Sequence, residues 1–299
     1  MFRLTAAALA PVAFSTPAGA HEAHGEAIGW TLDPQVTLPL LVTLALYVGG
    51  LFRLRRRAHH GGGLLTQRAP LFLGGWAILA GALVSPLHEA GEVSFTMHMI
   101  EHELIMLPAA LLLVAARPGP VLLWGLPAAG RQLFAPIIRL PLWRGLAAPV
   151  IATAIQAAVL VLWHMPALFD RALRHDGWHI VQHLCFVASA LLFWTAMLPR
   201  CFSRAGAMTA ALCLFVTSMI GGGLGALMSL AGSPWYAVYA AMGMTPFGLT
   251  PSEDQQLAGL IMWIPGGLFH LGAALILLAR ALQSTVREDH RESRGRETA

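Results

Sequence analysis

An all-α bundle of seven membrane-spanning helices is the fold this chain predicts, and three observations predict it. Of its 299 residues, 57% are hydrophobic and only 11% are charged, a balance foreign to a water-soluble domain. The apolar residues fall in runs near or above the ~20 residues that a helix needs to cross a bilayer, with short polar loops between them. All 19 basic side chains are arginines gathered in a few of those loops. That is the pattern membrane topology asks for, so the basic balance signals no nucleic-acid partner.

In chain order, residues 1–20 read as a secretory signal peptide, with Arg3 as the charged start and Ala18-Gly19-Ala20 as a cleavage site. Residues 21–34 form an exported polar tail carrying His21 and His24. The membrane domain, 35–282, holds seven spans at about 35–52, 69–87, 94–115, 147–165, 178–198, 205–231 and 255–282. The last two are long and contain Gly or Pro, so they are expected to tilt or kink. Gly221, Gly222, Gly223 and Gly225 permit close helix approach. The Pro-interrupted stretch 120–146, with Trp124 and Trp143, is expected to lie along the interface. The final segment, 283–299, is a charged tail, expected to be disordered from Arg287 onwards. Cys185, Cys201 and Cys213 have no CxxC spacing and suggest no disulfide framework.

Arginine also sets the orientation. Arg53, Arg55, Arg56, Arg57 and Arg68 share one loop, and Arg117, Arg131, Arg139 and Arg144 share another on the same side. Arg200, Arg204 and the C-terminal arginines join them, whereas only Arg171 and Arg174 fall opposite. The positive-inside rule then puts the N-terminus out and the C-terminus in, in agreement with the signal peptide.

That topology sorts the histidines by depth. His98 and His102 lie early in the third span, His164 ends the fourth, and His179 and His183 open the fifth. His88 follows the second span, and Asp254 opens the seventh. All fall at the outer leaflet. Ionisable groups in hydrocarbon cost roughly 2.5–3.5 kcal/mol each on insertion scales, so they face a cavity, a partner or a metal. His98/His102 and His179/His183 are each four apart, which puts each pair on one helical face. Two such pairs on neighbouring helices can converge on one ion, and imidazole with thioether suits reduced copper. The expected ligands are therefore His98, His102, His179 and His183. Glu101, His164, Asp254 and Met99 are auxiliary, with Asp254 or Glu101 orienting an imidazole. His270, deep in the seventh span, reads as structural, and Trp163, Trp178 and Trp235 as an interfacial belt.

Two other readings stand beside this one. His98-Met-Ile-Glu101-His102 matches H-x-x-E-H, the pattern of a zinc hydrolase whose Glu activates water. His102 with His183 is also a pair for bis-histidine haem ligation.

Three blocks then carry a family likeness: 98–118 with its H-M-x-x-H, 163–173 (WHMPALFDRAL) continuing through 178–194, and DQQLAGLIMWIPGG at 254–267. Together they resemble the cytochrome c oxidase assembly factors of the CtaG type, over most of residues 30–282. Glu101 departs from the pattern, standing where an uncharged polar residue is expected, and Glu103 adds a second acid. The resemblance implies a non-enzymatic role in maturing the oxidase through copper delivery. It carries over to His98, His102, Trp163, His164, His179, His183, Asp254 and Gln255. It also implies a multi-pass protein of the bacterial inner (plasma) membrane, its site facing the exterior. The implied partners are oxidase subunits, a soluble exported copper chaperone and the lipid bilayer.

Overall fold

The computed structural model describes residues 28–57, 62–138 and 140–297. The signal-peptide reading of 1–20, most of the polar tail with His21 and His24, and His59 and His60 lie outside them. Among the described residues the regular structure is helical. It runs α1 (Pro34–Arg57), α2 (Gly62–Val84), α3 (Pro86–Val93) and α4 (Phe95–Leu104), then a π-helical turn (Ile105–Ala109) that leads into α5 (Ala110–Ala116). Three short helices follow, α6 (Gly119–Gly125), α7 (Ala128–Ile138) and α8 (Pro141–Leu146). Then come α9 (Pro149–Trp163), α10 (Pro166–Arg174), α11 (Asp176–Met197), α12 (Arg204–Leu230), α13 (Ala237–Met242) and α14 (Pro251–Glu297).

Among the described residues six segments are long and apolar enough to cross a membrane, and α9 with α10 makes a seventh if that bent pair is one span. The chain is a membrane protein. Leu212, Phe215, Leu227 and Leu230 on α12 are among many large apolar side chains left exposed by the bundle, as expected where lipid replaces water.

Three expectations need correction. The second span ends at Val84, and a separate helix begins at Pro86. Ser85 caps that helix, accepting from Leu87 N–H at 3.3 Å, and Pro86 needs no N–H there. The fourth span is broken: α9 and α10 meet at 71°. Pro166 cannot continue the ladder, and His164 and Met165 make the corner. The charged end is helical through Glu297.

Packing divides the bundle. A small cluster joins α1, α2 and α6, where Tyr47 stacks on Phe72 at 3.6 Å. Arg53 closes the end of α6, donating to the carbonyls of Trp124, Gly125 and Leu126 at 2.8–3.1 Å. The main core lies among α4, α5, α9, α11, α12 and α14. There α12 and α14 touch backbone to backbone: a Cβ on Gly225 would sit 2.6 Å from the Gly259 carbonyl oxygen. Backbone cannot yield as a side-chain tip can. Gly225→Val is expected to cost about 1–3 kcal/mol by overpacking. Thermal unfolding in detergent would register it; an unchanged midpoint would refute the close-packing account.

The π-turn in the third span has a local cause. Pro108 offers no N–H to Leu104, so the helix widens by one residue. Trp194 Nε1–H donates to the Met106 carbonyl at 3.0 Å.

The two ends of the bundle differ chemically. At the N-terminal end of α1, Gly29 N–H and Thr31 Oγ1–H donate to Glu89 at 2.5 and 3.1 Å, and Thr31 N–H donates to the Val84 carbonyl at 3.0 Å. That ties the N-terminal segment to α3 and the histidines. Arg53, Arg55, Arg56 and Arg57 end the same helix, ~1.5 Å per residue further on, at the opposite side.

Candidate metal centre

The centre is built where α3, α4 and α11 meet. Ser94 ends α3 and begins α4 with an extended backbone (φ −145°). Four bonds from α14 fix this start. Asp254 accepts from Ser94 Oγ–H at 2.8 Å, Phe95 N–H at 2.6 Å and Thr96 N–H at 3.1 Å. Thr96 Oγ1–H donates to the Asp254 carbonyl at 2.9 Å. A carboxylate at a helix N-terminus satisfies orphan donors and suits the helix dipole. The expectation that Asp254 orients an imidazole is therefore corrected: both of its carboxylate oxygens are spent on the start of α4.

From that fixed start, α4 turns His98, Glu101 and His102 inward, all fully buried. On α11, His179 and His183 follow the same four-residue spacing. The two pairs face each other: ring centroids are 5.5 Å apart for His98–His179 and 5.3 Å for His102–His183. All four expected ligands are thus brought together. Phe169 and Phe186 wall the cluster, 5.0 Å from His98 and 4.6 Å from His102.

α3 adds what sequence spacing left outside the ligand set. His88 stacks on His179 at 5.2 Å, and its Nδ1 lies 2.8 Å from Glu101 Oε1. A carboxylate only accepts, so Nδ1–H is the donor. Glu101 Oε1 also lies 3.5 Å from His183 Nε2. Glu101, expected as auxiliary, is the junction between α3, α4 and α11. Two groups offer ligand atoms within 4.8 Å of one another: His88, Glu101 and His183; and His88, Glu92 and His179. His88 belongs to both. The available signal was His88 with Glu92, four apart on a short capped helix. Gly91 lets α3 lie close: a Cβ there would be 3.2 Å from His98 Cα and 3.4 Å from Glu101 Oε2.

Electrostatics follow from these contacts. Burial pulls the His88 imidazole down, but its bond to Glu101 and the charges of Glu101, Glu92 and Glu89 prevail, so it is raised above the usual value. Burial holds the Tyr239 phenol well above its usual value, with Asp254 and Glu101 adding to the effect. Tyr239 therefore stays a donor, to the Gly91 carbonyl at 2.5 Å.

The remaining candidates divide. His164 sits at the α9–α10 corner, its Nδ1 2.7 Å from the Leu160 carbonyl oxygen and its own carbonyl accepting from Tyr236 at 3.0 Å. Its ring shares Phe169 and Phe186 with the cluster, each at 6.2 Å. Met99, expected as auxiliary, is part of the apolar core; one residue on from His98, it faces about 100° away. Trp163 is buried against Trp178 rather than belted at the surface.

What makes the cluster a candidate binding site is its unmet polar atoms. Both ring nitrogens of His98 and His102, Nε2 of His164, His179 and His183, and Glu101 Oε2 are buried without a hydrogen-bond partner. Each such atom costs ~1–3 kcal/mol. Several convergent imidazoles with one carboxylate fit a soft or borderline metal ion, which would satisfy them together.

Similarity to known proteins agrees in place and extent. A family described as cytochrome c oxidase caa3 assembly factor (Caa3_CtaG) matches residues 45–284, which include every residue of the cluster. Two uncharacterized proteins, from Mycobacterium bovis and Mycobacterium tuberculosis, are each 25% identical over 275 residues. The match takes in 88% of this chain, which spans about 40% of the length of those relatives. No solved structure is significantly similar. With a family match over most of its length, the chain belongs to the cytochrome c oxidase caa3 assembly factors.

Proposed function

We propose that the chain binds reduced copper at the histidine cluster and delivers it during assembly of a haem–copper oxidase. One observation carries this reading: buried imidazoles with free nitrogens face one another from α4 and α11, beside a group of His88, Glu101 and His183 whose ligand atoms lie within 4.8 Å. Neutral imidazoles suit Cu(I), and one carboxylate balances its single charge inside an apolar bundle. Copper here is cargo, and ligand exchange among several imidazoles permits stepwise transfer without catalysis. His98, His102, His179 and His183 hold the ion, with His88 and Glu101 completing the set. Arginine placement supports an outward-facing cluster in the inner membrane of a bacterium. A soluble exported chaperone can reach it there, and an oxidase subunit can receive from it.

The contacts around the cluster favour an ion over a macrocycle. His102 and His183 are edge to face at 5.3 Å, with His98 and Phe186 filling the flanks, which leaves no slot for a porphyrin.

The test is metal content. Purified protein is loaded with Cu(I) under anaerobic conditions, and wild type is compared with His98→Ala/His102→Ala by elemental analysis. A loss of about one copper per chain in the double variant is expected. Equal copper in both would overturn the site.

A further inference from the structure

Below the histidine cluster, the third span has a second polar compartment that the proposed function does not use. A cavity of about 30 Å³ lies among α4, the π-turn, α9, α12 and α14. It is lined by Glu103, Met106, Gln156, Thr217, Met262 and His270. A water needs ~10–15 Å³, so the space admits a single ion or one to two waters. Glu103 Oε2 and Gln156 Oε1 are both buried without a hydrogen-bond partner. Gly266 makes room for the carboxylate, since a Cβ there would meet Glu103 Oε2 at 2.9 Å. Among the described residues no arginine or histidine forms an ion pair with Glu103. A carboxylate within a membrane span, without a counter-charge, marks a functional position.

We infer that this cavity is a second cuprous-ion site, one helical turn deeper than the histidine cluster. The donors have the right chemistry: two thioethers, one imidazole and one carboxylate favour a soft monovalent cation. His270 Nδ1 is engaged by the Gly266 carbonyl at 2.7 Å, so Nε2 is the nitrogen left to ligate. Gln156 Nε2–H donates to Met106 Sδ at 3.7 Å and holds that thioether in place. Cu(I) with an ionised Glu103 is electrically neutral, and two thioethers are poor partners for water but good ones for a soft cation. His98, His102 and Met106 follow one another at four-residue intervals along one face of the span. The inference rests on the copper reading for the supply of the ion, but not for its own ligands.

Extended X-ray absorption at the copper edge, with copper content, tests it on protein loaded anaerobically with Cu(I). Wild type is expected to show sulfur as well as nitrogen neighbours. Met106→Leu/Met262→Leu, a swap that conserves volume, is expected to lose the sulfur signal and about one copper per chain while keeping the nitrogen-bound ion. His270→Gln keeps both thioethers and is expected to lower occupancy of the sulfur-bound ion about tenfold. Copper without sulfur neighbours in wild type, or a sulfur signal that survives the double Met variant, would overturn the second site. Failure of the histidine cluster reads differently: His98→Ala/His102→Ala would then leave the nitrogen-bound copper unchanged.

Discussion

Glu101→Gln is expected to weaken copper retention about 10- to 100-fold and to reduce oxidase assembly in cells accordingly. The carboxylate sits 2.8 Å from His88 Nδ1 and 3.5 Å from His183 Nε2, so it fixes one imidazole and faces another. Glutamine keeps the shape and loses the charge that balances a monovalent ion. Copper titration against a competing chelator measures the first effect, and oxidase activity in membranes of a strain carrying only the variant measures the second. Unchanged retention and unchanged assembly would remove Glu101 from the site. Full retention with lost function would instead revive the hydrolase reading, in which the glutamate acts on water rather than on the metal.

Asp254→Ala is expected to cost about 3 kcal/mol or more of stability. It strips the partners from Ser94 Oγ, Phe95 N–H and Thr96 N–H, all buried at the start of α4. Bonds to a charged acceptor are the stronger kind, and buried donors left alone carry their full desolvation cost. Asp254→Asn, which still accepts through one oxygen, is expected to recover part of the loss. Thermal unfolding in detergent orders the three proteins as wild type, Asn, Ala. An alanine variant as stable as wild type would remove Asp254 as the anchor of the third span.

Local periodicity made much of this molecule legible, and its limits mark what was not. The spans follow from apolar run length. The two histidine pairs follow from a four-residue spacing that a helix must resolve onto one face, and the structure faces them together as that spacing requires. Ser85-Pro86 signalled a new helix, but the apolar run around it hid the break inside the expected second span, whereas Met165-Pro166 falls where the expected fourth span ends. His88 could not be ranked because its partner Glu101 lies across a helix boundary. Asp254 read as a polar group near histidines; only the packing of α14 on α4 aims it at backbone. Glu103 and His270 lie 167 positions apart in the chain, and nothing local to either announces a shared cavity.

The bond between Asp254 and Ser94 also has a consequence in time. The two residues are 160 positions apart. At ~5–20 residues per second, the ribosome delivers the second roughly 10–30 s after the first. Until the last helix enters the bilayer, the top turn of the third has no partner for its leading amides, and His98 and His102 have no fixed register. The centre is therefore assembled last, after the rest of the bundle is in the membrane. A nascent chain passing through the insertion machinery presents no finished cluster, so on the proposed reading metal capture waits for the completed molecule.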